Sequence, residues 1–391
     1  MTSILVGCFA DIGKMGGGST LAKNVSHGLT DRGYRPSFLS LRPGVVSDET
    51  SETDGLCVRY FSIDSGRAWR VPQLVRRRQL RQVLKRQPAR PDVLLAISPF
   101  FIPPAREVWP DVRIVYLFPC LLWRCVPHAW EQRPSWPLRL NHWLVGREER
   151  AALDACDAVI IQSKSVAEDV LDFHPRAGSK LVTAPTGVRD LLQEVTRPRD
   201  ALRDELQTPH DAVVAMAAGR LSVNKNISYL LQAVHRVNNP KLWLWVVGDG
   251  PLAERLRREA GAGSASQRIR FLGSRNDMPD VYAAADLFVH AARYDNFPNV
   301  YLEAMVSGLP IVGPKGEFPR IVSPLSEMIA EGVQGHSYCL DKPADLAALL
   351  GELANHPEHI KEMGSAARQL ALHAFSWNGY FDAIEQSILE C

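Results

Sequence analysis

Short apolar runs alternate with amphipathic stretches along the whole 391-residue chain. Residues 4–9 form an apolar run, a glycine-rich turn follows, helical periodicity occupies 21–30, and after Gly33 a second run covers 36–41. Strand, loop, helix, strand is a βαβ opening, and such units build parallel sheets. Runs at 91–97 and 112–118 predict buried strands. A helix from about residue 147 leads to a strand at 157–163 and to another run from Lys180. Polar, proline-containing sequence over 189–211 predicts a linker with a helical piece. The alternation then resumes, with strands predicted at 212–217, 242–247, 268–272, 287–290 and 309–312, and with helices at 226–237 and from Leu252. The expectation is an α/β chain of two similar halves, 1–195 and 196–372, with a terminal segment 373–391. A ligand is expected in a cleft outside the strand C-termini.

One stretch departs from plain alternation. In RYDNFPNVYLEAMVSGLP (293–310), Asp295 and Glu303 are separated by seven residues and Pro298 lies between them. Proline is tolerated in a first helical turn, where its missing N–H has no intrahelical partner. The spacing predicts a helix from near Phe297 through Met305, closed by Gly308. Asp295 is then at the helix mouth and Glu303 inside it. The positive end of the helix dipole, with its free N–H groups, suits an anion such as a phosphate.

Composition narrows the class without naming it. At roughly 150 residues per domain, two domains are expected. An apolar fraction of 46% and a charged fraction of 23% are those of an ordinary globular protein. The net charge of +2 gives no global field toward nucleic acid. Seven cysteines without a C-x-x-C pair predict reduced thiols in the cytoplasm, with neither a disulfide framework nor a zinc site. The N-terminus lacks the flank and core of a signal peptide, and no run reaches the ~18 apolar residues of a membrane span.

Three further stretches carry candidate chemistry. Gly16, Gly17 and Gly18 precede a helix, where backbone amides approach a phosphate closely. The loop is neither a Walker A nor a G-x-G-x-x-G motif, and a plain turn explains it equally well. Residues 67–90 hold nine basic groups and no acid. That stretch suits either an anionic bilayer surface, as a peripheral membrane contact, or a solvated helix packed on the sheet. Its apolar residues Val71, Leu74 and Val75 fall on a different helical face from Leu80, Val83 and Leu84, unlike a clean surface-lying helix. Four tryptophans between Trp123 and Trp143, interrupted by Pro127, Pro134 and Pro137, predict an irregular, partly helical lid or acceptor wall.

Several of these pieces resemble one family in order and spacing: GRLSVNKN (219–226), VGDGP (247–251), FLGSR (271–275) with YAAAD (282–286), and the acid-x7-acid stretch. Nearly the whole chain is similar to the family-4 retaining glycosyltransferases of the GT-B architecture, two Rossmann-like domains with a last helix crossing back to the first. The resemblance implies an acceptor-binding first domain and a nucleotide-sugar-binding second domain. It implies that Arg220 and Lys225 grip the donor diphosphate, that Glu303 holds the ribose, and that Asp295 lies near the donor sugar, with amides from Phe297, Asn299 and Val300. It implies further that Gly16 and Gly17 close on the phosphates, and that Gly273, Ser274 and Arg275 contact the base. Three positions depart from the family pattern. Asp295 stands where glutamate is frequent, Pro119 stands where a histidine is frequent with His128 as a candidate substitute, and GEFPR (316–320) replaces a usual acid.

The implied reaction is transfer of a sugar, with retention, from a nucleoside diphosphate donor to a hydroxyl acceptor in polysaccharide, glycolipid or glycoconjugate biosynthesis. UDP-sugars are favoured and GDP-sugars come second. Fixed cations aimed at the departing diphosphate stabilise the charge it gains, so neither a metal nor a cofactor is expected. The rival readings are a sugar-nucleotide epimerase or phosphorylase on the same architecture, or a nucleotide-sugar binding protein without turnover. A nicotinamide dehydrogenase is disfavoured because the dinucleotide fingerprint is absent.

Overall fold

The computed structural model describes residues 2–8, 17–42, 49–53, 56–62, 73–125 and 136–389. These separate into two compact units, one of residues 1–185 with 377–391 and one of residues 186–376.

The first unit opens with β1 (Ser3–Cys8), α1 (Gly17–Asp31) and β2 (Arg35–Leu41). Helix α1 therefore starts four residues before the expected 21, so Gly17 and Gly18 belong to its first turn. A hairpin follows, β3 (Glu49–Thr53) and β4 (Leu56–Phe61), then α2 (Gln73–Lys85), β5 (Val93–Ala96), α3 (Ile102–Val108) and β6 (Arg113–Leu117). Next come the short α4 (Leu122–Cys125), α5 (Trp136–Ala155), β7 (Ala158–Ile161), α6 (Lys164–Phe173) and β8 (Leu181–Thr183). The sheet order is β3-β4-β2-β1-β5-β6-β7-β8, parallel throughout except for the antiparallel β3–β4 pair. Helix α5 begins eleven residues before the expected 147. Pro137 lies in its first turn, where it breaks nothing, so a proline taken as an interruption marks a helix start.

The second unit contains α7 (Arg199–Glu205), β9 (Val213–Ala218), α8 (Ile227–Arg236), β10 (Leu242–Val247), α9 (Ala253–Gly261) and β11 (Ile269–Gly273). It continues with α10 (Met278–Ala284), β12 (Leu287–Val289), α11 (Asn299–Val306), β13 (Ile311–Pro314), α12 (Leu325–Met328) and β14 (Gly335–Tyr338). Helices α13 (Pro343–Asn355) and α14 (Pro357–Ala374) complete it. Its parallel sheet has the order β11-β10-β9-β12-β13-β14. Side chains alternate between the two faces, as the strand period of two requires. Val213, Ala215 and Ala217 of β9 enter one core with Leu242, Leu244 and Val246. Val214, Met216 and Ala218 enter the other with Trp243, Trp245 and Val247. Burial on both faces is why these strands read as continuous apolar runs.

The last helix, α15 (Trp377–Leu389), belongs to the first unit although 191 residues of the second precede it (376 − 186 + 1). Tyr380, Phe381, Ile384 and Ile388 join the core formed by Leu21, Ala22, Val25 and Leu29 of α1. Gly28 makes the close approach: a Cβ there would lie 1.9 Å from the Phe381 ring. Arg32 then reaches Asp382 at 2.8 Å and Glu385 at 2.5 Å.

Candidate active site

Four loops at the C-terminal end of the second sheet are bound to one another through their backbones. Gly219 (φ +140°) follows β9 and Gly248 (φ +119°) follows β10. A Cβ on Gly248 would lie 2.1 Å from the Gly219 carbonyl oxygen, and one on Gly250 would lie 2.5 Å from that of Leu221. Only glycine permits both that backbone region and that approach. The Gly219 amide donates to Val247 O at 3.0 Å, the Leu221 amide to Asp249 O at 2.9 Å and the Gly248 amide to Gly273 O at 2.7 Å. The Asn224 side chain donates to Tyr294 O at 2.8 Å, tying in the loop after β12.

Within this frame Lys225 forms an ion pair with Asp295 Oδ2, and the His290 ring nitrogen Nε2 lies 3.1 Å from the same oxygen. Burial disfavours the charged Asp295, but the Lys225 ammonium and the His290 hydrogen bond outweigh it and hold the carboxyl well below the usual range. Burial, assisted by the Lys225 charge, pushes His290 down, although Asp295 opposes it. His290 is therefore neutral near pH 7 and its Nε2–H donates to the carboxylate. The ring is fixed edge-on against Tyr301 at 5.1 Å, and Tyr338 donates its hydroxyl to the His290 main-chain oxygen at 2.5 Å. Sequence reasoning missed His290. The signal was present: a histidine ending an otherwise apolar strand run, five residues before the acid.

Helix α11 begins at Asn299 with Pro298 at its N-cap, so the helix starts two residues after the expected Phe297 and Pro298 sits before its first turn. Gly308 (φ +83°) follows its end. The first-turn amides of Asn299 and Val300 have no intrahelical acceptor. The Asn299 side chain accepts a hydrogen bond from Thr186 at 3.4 Å, Phe297 packs edge-on to Phe375 at 5.8 Å, and Val300 packs on the core. Glu303, within α11, accepts a 2.8 Å hydrogen bond from the buried Tyr282 hydroxyl. Burial raises the Glu303 carboxyl, with Tyr282 and then Arg189 partly offsetting it. Burial, together with Glu303, also keeps Tyr282 a phenol.

Arg220 is exposed, and among the described residues its guanidinium meets no carboxylate. Gly273 (φ +66°) and the exposed Ser274 end β11. The Arg275 side chain is held by Asp277 at 2.5 and 2.8 Å and by Glu205 at 3.1 Å, so it is committed to carboxylates of its own unit. In the first unit Gly17 opens α1, and Pro119 follows β6. Gly16 and His128 lie outside the described residues.

Two parallel α/β units of this kind, with glycine loops and acids at the sheet's C-terminal end, define a GT-B fold. Solved structures agree across the whole chain. A complex of HepE from Anabaena with UDP and glucose superposes with a TM-score of 0.75 at 18% identity, covering 100% of both chains. WaaG, a glycosyltransferase involved in lipopolysaccharide biosynthesis, gives 0.78 at 16% identity, covering 99% of this chain and 100% of that one. The chain belongs to glycosyltransferase family 4: residues 15–190 match the model described as Glycosyltransferase Family 4, and residues 212–356 match Glycosyl transferases group 1.

Two curated relatives are similar over part of their length. The lipopolysaccharide core biosynthesis glycosyltransferase LpsE of Rhizobium meliloti is 30% identical over 164 residues, 42% of this chain and 46% of that protein. A GDP-mannose-dependent phosphatidylinositol monomannoside mannosyltransferase of Corynebacterium glutamicum is 32% identical over 207 residues, 49% and 52%. The chain thus spans about half the length of these curated relatives. Among the described residues no helix is long and apolar enough to cross a membrane.

Proposed function

We propose that the protein transfers a hexose, with retention, from a nucleoside diphosphate sugar to an acceptor hydroxyl in lipopolysaccharide, glycolipid or polysaccharide synthesis. The observation that carries this reading is the shared end of the second sheet. It bears an exposed cation, Arg220, which meets no carboxylate among the described residues, a second cation, Lys225, the first-turn amides of α11, and an oriented carboxylate, Glu303. Arg220 and Lys225 take the diphosphate, and Glu303 accepts the ribose hydroxyls. As the glycosidic bond breaks, the sugar's anomeric carbon passes its bonding electrons to the phosphate oxygen. The acceptor oxygen attacks on the same face, and its proton goes to that phosphate oxygen. Cations fixed before the reaction stabilise this charge without reorganising.

In this reading Asp295, held by Lys225 and His290, lies beside the sugar, and the main chain of Gly273, Ser274 and Arg275 takes the base. Gly16 and Gly17 close on the phosphates. UDP-glucose is the first donor to test, supported by the UDP and glucose bound in a protein of the same fold, and GDP-mannose the second, supported by the mannosyltransferase relative. The scattered thiols favour a cytoplasmic setting.

The described part of the basic stretch 67–90, residues 73–90, is a weaker membrane element than its charge suggests, and residues 67–72 lie outside the described residues. In α2, Leu80, Val83 and Leu84 are buried in the unit's own core. Arg76 stacks on Phe100, and Arg77 and Arg81 pair with Glu107. Arg78, Lys85 and Arg86 remain outward and supply charge alone. The test is sugar transfer from a panel of nucleotide sugars to lipid extracts and soluble saccharides, with Arg220→Ala alongside. Each charge-assisted hydrogen bond to the diphosphate contributes roughly 1.5–3 kcal/mol, so the variant should lose at least about tenfold in kcat/KM with folding intact. Unchanged turnover would remove Arg220 from the site, and conversion of donor without acceptor would favour an epimerase.

A further inference from the structure

Two anions compete for Lys225. The proposed transfer needs its ammonium on the donor diphosphate, yet in this structure the ammonium is paired with Asp295 Oδ2. The lysine stem is flexible and its charge is a compact point, so the side chain can turn from one anion to the other. The Lys225 side chain is 22% exposed, and that of Asp295 21%. A lysine that turns away strips a largely buried carboxylate of its cation, and a buried charge left unpaired is costly. Another group must then keep Asp295 charged and in place.

His290 meets that need. Its side chain is 4% exposed, and its Nε2 lies 3.1 Å from the same oxygen of Asp295. The ring has little freedom, with Tyr301 edge-on at 5.1 Å and Phe288 stacked at 6.2 Å. Its main chain is tied at both ends: the His290 amide donates to Val312 O at 2.9 Å, and its carbonyl accepts from the Tyr338 hydroxyl at 2.5 Å. The acid's backbone is tied as well. The Asp295 amide donates to Val322 O, and the Val322 amide donates to Arg293 O, both at 3.0 Å. Among the described residues, both hydrogen bonds that Asp295 accepts end on Oδ2. Oδ1 is therefore the oxygen left to accept from a ligand hydroxyl. Packing alone explains why a histidine ring is buried here, but not why its N–H is spent on this carboxylate.

We propose that His290 is a positioning residue for sugar transfer. Its Nε2–H holds Asp295 by Oδ2, which lets Lys225 pass to the diphosphate while Oδ1 stays turned to a hydroxyl of the donor sugar. This role rests on the proposed donor site and deepens it. The nucleotide is gripped by cations and by Glu303, whereas the sugar is read by an acid whose direction is set from the end of β12. A charge-assisted hydrogen bond from a fixed ring is suited to this, because an acceptor already oriented need not be ordered when the donor arrives. His290 acts through Asp295 and touches neither the sugar nor the phosphates.

The test compares UDP with UDP-glucose, and GDP with GDP-mannose, by titration calorimetry, followed by sugar transfer from the donor that binds. The full chain is used as wild type, His290→Phe and His290→Gln. Phenylalanine keeps a packed ring and removes the N–H, while glutamine returns an N–H near the position of Nε2. His290→Phe should keep its affinity for the bare nucleotide within about twofold but lose about tenfold to a hundredfold in kcat/KM, as for a lost hydrogen bond to a charged group. His290→Gln should recover most of that loss. A packing role would instead lower both affinities together with the unfolding midpoint, and glutamine would not help. The proposal is overturned if His290→Phe transfers like wild type, if it loses nucleotide and nucleotide-sugar affinity equally, or if glutamine does no better than phenylalanine. Nitrogen-15 spectra of the wild-type ring add a check that needs no variant: Nε2 should carry the proton, and a proton on Nδ1 alone overturns the proposal. These outcomes leave the donor site standing. A wild-type chain that binds none of these nucleotides overturns that site, and the role of His290 with it.

Discussion

Glu303 shows how one residue meets two opposed demands. Its burial favours the neutral acid, while the ribose contact proposed for it would need the carboxylate, and the Tyr282 hydrogen bond supports the charged form. Because burial raises the folded pKa, the carboxylate is lost as pH falls through a value above the ordinary ~4.3 of glutamate. Donor affinity should therefore weaken in mildly acid solution, with KM for the donor rising before kcat falls. The stability sign is the reverse: the group favours the fold below its unfolded pKa, and that contribution is lost as pH rises through the folded one. Donor titration from neutral pH downward into the acid range tests this. Glu303→Gln should flatten the profile, and an unaltered profile in that variant would exclude Glu303 as the titrating group.

The spacing of Asp295 and Glu303 was visible in the chain, and so were the cations Arg220 and Lys225. Their partners were not. The contact of His290 with Asp295 depends on where a strand end and a loop meet, and that of Tyr282 with Glu303 on the packing of α10 against α11. Neither distance is encoded in local pattern.

At the scale of elements, the glycines after β9 and β10 decide whether the cations are held in place. Gly248→Ala would put a Cβ against the Gly219 carbonyl in a backbone region that disfavours side chains. Backbone cannot rotate away as a long side chain can, so a loss of about 1–3 kcal/mol is expected. Thermal unfolding should show a lower midpoint, and transfer should fall further than stability alone explains. A variant with wild-type midpoint and rate would show that the loops tolerate separation.

Elements were legible where one period dominated. Five strands of the second sheet, β9 to β13, were found within one or two residues because they are apolar runs, whereas β14, with the sequence GHSY, was not predicted. The hairpin β3–β4 escaped notice because Glu49–Thr53 is polar, as an edge strand can be when its neighbour supplies the pairing. The start of α5 was missed because a proline in a first turn has the same local signature as a proline in a loop. For α2 the basic composition left a membrane contact and a helix packed on the sheet both open, and Leu80, Val83 and Leu84 are buried as the second requires.

At the scale of the molecule, the chain end completes the first unit. Burying Tyr380, Phe381, Ile384 and Ile388 stabilises it by roughly 1.5–3 kcal/mol each, a sum comparable to the ~5–15 kcal/mol of a whole domain. Removal of residues 377–391 should therefore unfold or loosen the first unit and leave the second intact. Hydrogen exchange should show protection lost in β1, β2 and α1 and kept in β9 and β10. Equal loss in both units, or in neither, would contradict the division.

The sequence by itself determined the alternation of strands and helices, the two-sided burial of the strands and the family resemblance of its motifs. These follow from local periodicity and from glycines that no other residue replaces. Tertiary structure alone decided that His290 and Lys225 share one oxygen of Asp295, and that Tyr282 orients Glu303. It also decided that residues 377–389 pack on α1, and that the tryptophans of α5 face outward. Each depends on which surfaces meet after the chain has folded, and contact between residues far apart in sequence is not carried by the period of either one.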